Sequence, residues 1–359
     1  MTQHSAIDVV YLWVDGNDPT WRQKRNAAAA RPSAQRQGSP AAYGNVEGRF
    51  RDNDELRYSL RALERYFPDH GHVYVVTDGQ SPAWLSPSDR LTLVDHRDLI
   101  PASSLPTFDS AHIESYVHRI PGLSERFFYF NDDVFFGAPV RPAEWFFDGG
   151  VFAAWSDEPA VGAGPAHPED SFQANACRRS IEWLKARAAE PAAPRQSAGM
   201  RLAHTLRTFA HAPRPMLRSM LFELEDLAPD LFSAVRSTVF RLWDQPAVVS
   251  DFAMRWALAD GSAQIRDYRH AYVSSGEAGA AQAMALLDTA MGELDFFCIN
   301  DTTDDADPLD PRLLHVRERL QALFPTPSSF ERAPLTQRDT APPSWPRSRN
   351  MSSESRVSG

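Results

Sequence analysis

The chain has 359 residues, 43% of them hydrophobic, enough to bury a substantial core in one large domain or two small ones, as expected of a soluble globular protein. A formal net charge of -10 and a pI near 5.6 argue against broad binding to a phosphate backbone, so nucleic acid is not an expected partner, although local basic residues can still grip a small anion. Two cysteines, Cys177 and Cys298, with no CxxC pair, suggest neither a disulfide framework nor a thiolate zinc site and fit a reducing compartment.

The first residues, MTQHSAID, carry no basic region followed by an apolar stretch. No segment reaches the roughly 18 apolar residues that span a bilayer, so a cytoplasmic location is expected, with any membrane work done through a partner or a lipid-linked substrate. Residues 7–14 (IDVVYLWV) read as a buried strand emptying into the turn Asp15, Gly16, Asn17, Asp18, Pro19. Residues 27–48, rich in Ala, Ser, Pro and Gly, read as a mobile surface loop placed to fold over a ligand. Leu56, Leu60, Leu63 and Phe67 recur at helical spacing over 52–67, with Asp52 as the expected N-cap and Glu55 three residues on.

Further strands are expected at 72–77, 91–94 and 127–130, with a helix at 113–117 between the last two. Strands alternating with helices imply βαβ crossovers, hence an α/β fold with a largely parallel sheet covered on both faces. Ligands of such sheets bind beyond the carboxyl ends of the strands, which here carry Asp15, Asp78, Asp95 and Asn131, Asp132, Asp133. Residues 151–200 contain two Pro, Gly and Ala-rich stretches around a helix at 171–187, as an insertion or cap would. Residues 214–227 and 251–258 read as amphipathic helices, with the polar residues Arg236, Arg241 and Asp244 between them. A short strand at 296–299 again ends in Asn-Asp (Asn300, Asp301), a helix follows at 311–324, and the tail from Pro334 has the composition of a disordered segment.

The Asn131-Asp132-Asp133 triplet at a strand exit suits a hard divalent cation bridging phosphate oxygens, against the alternative of a solvated turn. The acid-rich run after Asn300 is no EF-hand, because Ala306 stands at the sixth position from Asp301 and Arg312 at the twelfth. His112, His118, His204 and His211 lie near other polar residues, but none is spaced as HExxH, and each alone reads as structural or exposed. The absence of GxGxxG, Walker A and GxSxG motifs removes sequence support for dinucleotide oxidoreductases, P-loop kinases and serine hydrolases.

Five blocks resemble the Stealth proteins, a family that includes bacterial capsule polymerases and the eukaryotic N-acetylglucosamine-1-phosphotransferase of lysosomal enzyme tagging. They are IDVVYLWVDGNDP (7–19), RFRDNDELRYSLRALERYFP (49–68), VYVVTDGQSPAWL (73–85), LPTFDSAHIESYVHRIPGLSERFFYFNDDVFFG (105–137) and FFCINDT (296–302). A looser block covers 210–230 and continues to Arg241 and the helix near Asp251. The resemblance implies one catalytic domain over 1–330 with a nucleotide-sugar-transferase-like (Rossmann-like or GT-A-like) sheet, a helical insertion or cap at about 150–270, and a disordered tail at 331–359.

It also implies transfer of a sugar-1-phosphate from a UDP-sugar to a hydroxyl of a polysaccharide or oligosaccharide acceptor, with release of UMP, in capsule or exopolysaccharide synthesis. Mg2+ or Mn2+ would be the cofactor, and peripheral association with a membrane export complex would fit. By the match, His211 is the candidate general base, Arg241 binds the diphosphate or stabilises the transition state, Asn131 positions donor oxygens, and Asp133 carries the metal. Asp132, Asn300 and Asp301 are further candidate metal ligands. Ser110 and Glu114 would face the sugar hydroxyls, Asp15 and Gly16 would approach the nucleotide, and Arg49, Asn53 and Arg57 would add contacts. Plainer roles compete: Arg57 and Glu64 on a helix face, and His118 and Arg119 in structural hydrogen bonds. Two other classes stay open, a metal-dependent glycosyltransferase that releases UDP and a non-catalytic polysaccharide-assembly protein.

Overall fold

The computed structural model of the chain describes residues 6–31, 38–41, 44–188 and 198–332. The tail expected from Pro334, and residues 32–37 and 42–43 of the expected surface loop, lie outside the described residues.

Four strands rich in β-branched and aromatic residues, β1 (Asp8–Leu12), β2 (Val73–Thr77), β3 (Leu91–Asp95) and β4 (Arg126–Asn131), pair in parallel in the order β3-β2-β1-β4. Both β1 and β2 are buried along their whole length, as strands covered on both faces must be. The chain then forms β5 (Val134–Phe136), β6 (Phe146–Phe147), β7 (Gly150–Ala153) and β8 (Arg214–Leu217), and β8 adds to the central sheet antiparallel to β4. Finally come β9 (Ala263–Ile265), β10 (His270–Ser274) and β11 (Phe296–Asn300). Two three-stranded sheets result, β10-β11-β5 and β6-β7-β9. The α/β class and the largely parallel sheet expected from the sequence are what the chain adopts.

Aromatic side chains weld the central sheet to the β10-β11-β5 sheet. Phe128, Phe130 and Phe136 meet edge to face, and Phe135 stacks on Phe297 at 4.9 Å. The helix Glu55–Tyr66 packs on β5 with Leu56, Leu60 and Leu63 fully buried.

Five local expectations change, the first being that the helix expected at 113–117 runs over Ser110–Glu114 and is followed by a 3-10 turn at Val117–Arg119. Residues 19–29 are the helix Pro19–Ala29 rather than turn and loop, because Asp18 accepts from Trp21 N at 2.7 Å as an N-cap and Pro19 is pre-set for the first helical position. Asp52 does not cap the next helix; Asp54, in the left-handed region, precedes it, and Glu55 reaches back to Asn53 N at 2.5 Å. Residues 214–217 form β8 instead of the first turn of a helix, with Pro215 tolerated because β8 is an edge strand. The helix at 251–258 starts earlier, as a single π turn, Val248–Phe252, leading into Ala253–Asp260.

That π turn sets up a buried ion pair. Arg255, fully buried, donates from Nε to both Asp251 oxygens at 3.0 and 2.8 Å, and from Nη1 to the carbonyls of Ala203 and Thr205 at 3.0 and 2.9 Å. Removing one partner of such a pair leaves an uncompensated buried charge. Arg255→Ala should therefore cost roughly 3–5 kcal/mol, read as a lower urea midpoint at unchanged slope, and Arg255→Met combined with Asp251→Leu should recover part of the loss.

Candidate active site

The site is organised by the turn between β4 and β5. Strand β4 leaves the central sheet at Asn131, paired with Leu12, and β5 begins at Val134 in a different sheet, paired with Cys298. Asp132 and Asp133 are the turn. The Asp133 carbonyl accepts from Ile299 N at 3.0 Å, which fixes its backbone against β11. Its Oδ1 lies 3.1 Å from His211 Nε2, and its Oδ2 accepts the Cys298 thiol at 3.3 Å. His211 arrives from the segment ahead of β8, which is tied down by Ala210 N to Ala154 O at 2.9 Å and by Trp155 stacked on Phe209. One donor atom from each of Asp133, His211 and Cys298 lies within 4.8 Å of the others. Cys298 is wholly buried while the His211 side chain is 29% exposed, so the cluster opens on the imidazole side.

A group of carboxyls crowds against this turn. Asp132 is held well above the usual carboxylate range by burial and then by Asp133, Glu55 and Asp52. Burial, followed by Asp52, raises Glu55 to about 8, and burial, followed by Asp54, raises Asp52 to about 7. Burial and then Asp133 push the Cys298 thiol well up. A cation placed among these groups would relieve both their desolvation and their mutual repulsion.

On the other side the charge is positive. Arg49 lies over the Phe50 ring at 5.3 Å, donates to the Gly44 carbonyl, and is depressed by burial and then by the Arg241 guanidinium. Among the described residues Arg49 forms no ion pair. Arg241 donates to Ser110 Oγ, stands 3.6 Å from Asp109 Oδ1 and covers the Phe172 ring at 4.4 Å. The two guanidiniums repel each other, with Asp109 and Glu114 as nearby countercharges, and an anion placed between them would relieve that repulsion.

The other residues singled out by sequence have settled elsewhere. Glu114 does not face outward beside Ser110: its oxygens accept from Tyr129 and Ser250, both at 3.0 Å, in a buried position. Asp301 does not join Asp133; Arg51 at 2.5 Å, Asn53 at 3.2 Å and the Thr303 hydroxyl at 2.7 Å hold its carboxylate. Asn53, a candidate substrate contact from the resemblance, is buried and spends its amide on Glu55 and Asp301. Asn300 donates to Tyr272 Oη at 2.6 Å. Arg57 pairs with Glu331 at 2.6 Å, and Glu225 collects His118 at 2.8 Å and Arg119 at 2.7 Å, the structural roles that competed for these residues. Gly16 is required by packing, since a Cβ there would meet the Phe50 carbonyl oxygen at 2.4 Å. Asp15 does line a cavity of about 590 Å³ beyond β1 and β2, with Trp13, Lys24, Asp78, Gln80 and Trp84.

Sequence reasoning missed Cys298 and Tyr272. Cys298 falls within the FFCIND block and alternates with Phe297 across β11, the one available hint that its side chain turns toward the acidic turn. Tyr272, opposite Cys298 on β10, sets its ring edge-on to His211 at 6.5 Å.

Models of three conserved regions of the Stealth protein family match the chain: region 1 over residues 6–31, region 2 over 49–153 and region 4 over 292–342. The exopolysaccharide phosphotransferase SCO6023 of Streptomyces coelicolor is 39% identical over 332 residues, covering 91% of this chain and 52% of that protein. The exopolysaccharide phosphotransferase CpsY of Mycobacterium tuberculosis is 32% identical over 341 residues, covering 94% of this chain and 60% of that protein. The chain thus spans roughly half the length of such curated relatives. Among solved structures, the galactosyltransferase LgtC in complex with donor and acceptor sugar analogues is similar at TM-score 0.42 and 11% identity over 90% of this chain and 97% of that one. With the three conserved regions in order along it, the chain belongs to the Stealth protein family.

Proposed function

We propose that this chain transfers a sugar-1-phosphate from a UDP-sugar to a hydroxyl of an extracellular-polysaccharide acceptor. The observation that carries the reading is the His211–Asp133 pair at 3.1 Å, held at the strand exits and open to solvent on the imidazole side. The names of the relatives, exopolysaccharide phosphotransferases, supply the substrate class.

In the tautomer that serves as a base, His211 carries its proton on Nε2 and donates it to Asp133 Oδ1, which leaves the lone pair on Nδ1. Nδ1 takes the proton of the acceptor hydroxyl, the oxygen attacks the sugar-bearing phosphorus, and the bond to the bridging oxygen breaks to release UMP. Asp133 stabilises the imidazolium that forms. Arg49 and Arg241 hold the diphosphate, and their guanidiniums offset the charge that builds on the transferring group. Mg2+ or Mn2+, held by Asp133 and Asp132, would supply further charge neutralisation on the phosphates; the crowded, hard-to-ionise carboxyls fit such a cation. Asn131 positions donor oxygens, and Asp15 faces the nucleotide across the cavity it lines. Two unpaired cysteines suit a cytoplasmic setting for this chemistry.

The decisive assay is incubation with UDP-N-acetylglucosamine, Mg2+ or Mn2+ and a panel of oligosaccharide acceptors, with the released nucleotide identified by chromatography. UMP with a phosphodiester-linked product is expected; UDP would make the chain a glycosyltransferase instead. Asp133→Ala and His211→Ala should each lower kcat by at least about 10²-fold with the fold retained by circular dichroism; a loss under about tenfold for His211→Ala would remove the base role.

The raised carboxyls make a second, pH-dependent prediction. Because Asp52, Glu55 and Asp132 bind protons more tightly folded than unfolded, their contribution to stability is fullest below the ordinary carboxylate pKa and is lost as pH rises through about 7 and 8. A cation reverses that loss. The rise in Tm on adding Mg2+ should therefore be larger at pH 8 than at pH 5, and Asp132→Asn should shrink the difference, as read by differential scanning fluorimetry.

A further inference from the structure

We propose that Asp133, His211 and Cys298 form a binding site for a zinc-class cation, and that filling this site switches transfer off. The three donors come from the β4–β5 turn, the segment before β8 and strand β11, yet their atoms already converge within 4.8 Å. With metal–nitrogen and metal–oxygen bonds of about 2.0–2.1 Å and a metal–sulfur bond of about 2.3 Å, tetrahedral coordination sets neighbouring ligand atoms about 3.3–3.7 Å apart. The observed separations of 3.1 Å (Nε2 to Oδ1) and 3.3 Å (Sγ to Oδ2) lie close to that spacing but run to different oxygens of Asp133, so binding requires the carboxylate to turn one oxygen toward the ion or to bind through both.

The chemistry of the donors selects the metal. One thiol, one imidazole and one carboxylate suit zinc and its neighbours, whereas magnesium asks for octahedral oxygen. Cys298 forms the closed floor and half-open His211 the mouth, so three protein ligands leave a fourth position facing solvent. The floor is rigid, because Cys298 is locked in register with Val134 and the neighbouring Ile299 N holds the Asp133 carbonyl. On binding, the thiol proton leaves to solvent and the metal takes its place beside Asp133.

The inhibitory half rests on the reading of His211 as base. A neutral imidazole bound to metal through Nε2 carries its proton on Nδ1, the atom that would have received the acceptor's proton. The same ion occupies the Asp133 carboxylate that a catalytic Mg2+ or Mn2+ would use. One cysteine therefore makes the site a competitor for both the base and the activating metal.

Cobalt(II) titrated into the purified chain tests the site without any assay of transfer. A thiolate-to-cobalt charge-transfer band in the near ultraviolet is expected, displaced by one equivalent of Zn2+, kept in Cys177→Ala and lost in Cys298→Ser, whose near-isosteric hydroxyl preserves the fold. Zinc affinity should fall at least about tenfold in Cys298→Ser and in His211→Ala. No band in the wild type, or a band that survives Cys298→Ser, would overturn the site. Transfer that continues with the site spectrally full of zinc would overturn the inhibitory half. Absence of transfer with Mg2+ or Mn2+ and no zinc counts against the proposed reaction instead, and the cobalt spectrum still judges the site.

Discussion

The two-residue turn from β4 to β5 is the constraint on which the rest of the site depends. Parallel pairing with β1 forces β4 to end beside Leu12, and antiparallel pairing with β11 forces β5 to begin opposite Cys298. With only Asp132 and Asp133 to cross between sheets, the chain has no freedom to turn these carboxylates away. Aromatic packing on both sides makes the junction stiff: Phe128, Phe130 and Phe136 interlock on one face, and Phe135 and Phe297 stack on the other. The cost of crowding acids is met by the strand pairing around them, and it appears as carboxyls and a thiol that resist ionisation.

The residues that left the site explain how it is held open. Asp301 binds Arg51, and Arg51 also donates to Thr303 Oγ1 at 2.8 Å and to the Ala306 carbonyl at 2.9 Å, so the acid-rich loop after β11 is a clamp on residues 47–53. Gly48 N reaches the Thr303 carbonyl at 2.9 Å, and a Cβ on Gly48 would strike the Asp301 carbonyl oxygen at 2.5 Å. This clamp fixes the backbone on which Arg49 and Phe50 sit. The metal-like look of NDTTDDAD is the look of a loop rich in acceptors, which here bind a guanidinium and backbone N–H groups.

Charge is sorted in space in a way that net charge conceals. Acids crowd the β4–β5 turn and the neighbouring 52–55 segment, while Arg241 sits on Ser110 and Asp109 at the start of the Ser110–Glu114 helix and Arg49 lies within electrostatic reach of Arg241 and Asp109. An anionic donor bridging a cation at the first group and guanidiniums at the second would compensate both, which is the arrangement that phosphoryl transfer asks for.

The sequence alone determined the parts whose signal is local. Periodic β-branched and aromatic runs marked β1 to β4 and β11, helical spacing marked Leu56, Leu60 and Leu63, and the acids at strand exits pointed to the edge of the sheet where Asp133, His211 and Cys298 converge. The Asp18-Pro19 pair read as a turn, and the helix that it starts went unseen because a cap and a turn use the same residues. Residues 214–217 carried no strand pattern of their own; β8 exists because β4 offers an unpaired edge. Tertiary structure decided the pairings across long separations: Cys298 and His211 to Asp133, Asp301 to Arg51, Arg57 to Glu331. Short-range pattern fixes which way a side chain points from its own strand or helix, but its partner depends on how separate elements pack, and burial then turns that choice of partner into chemistry.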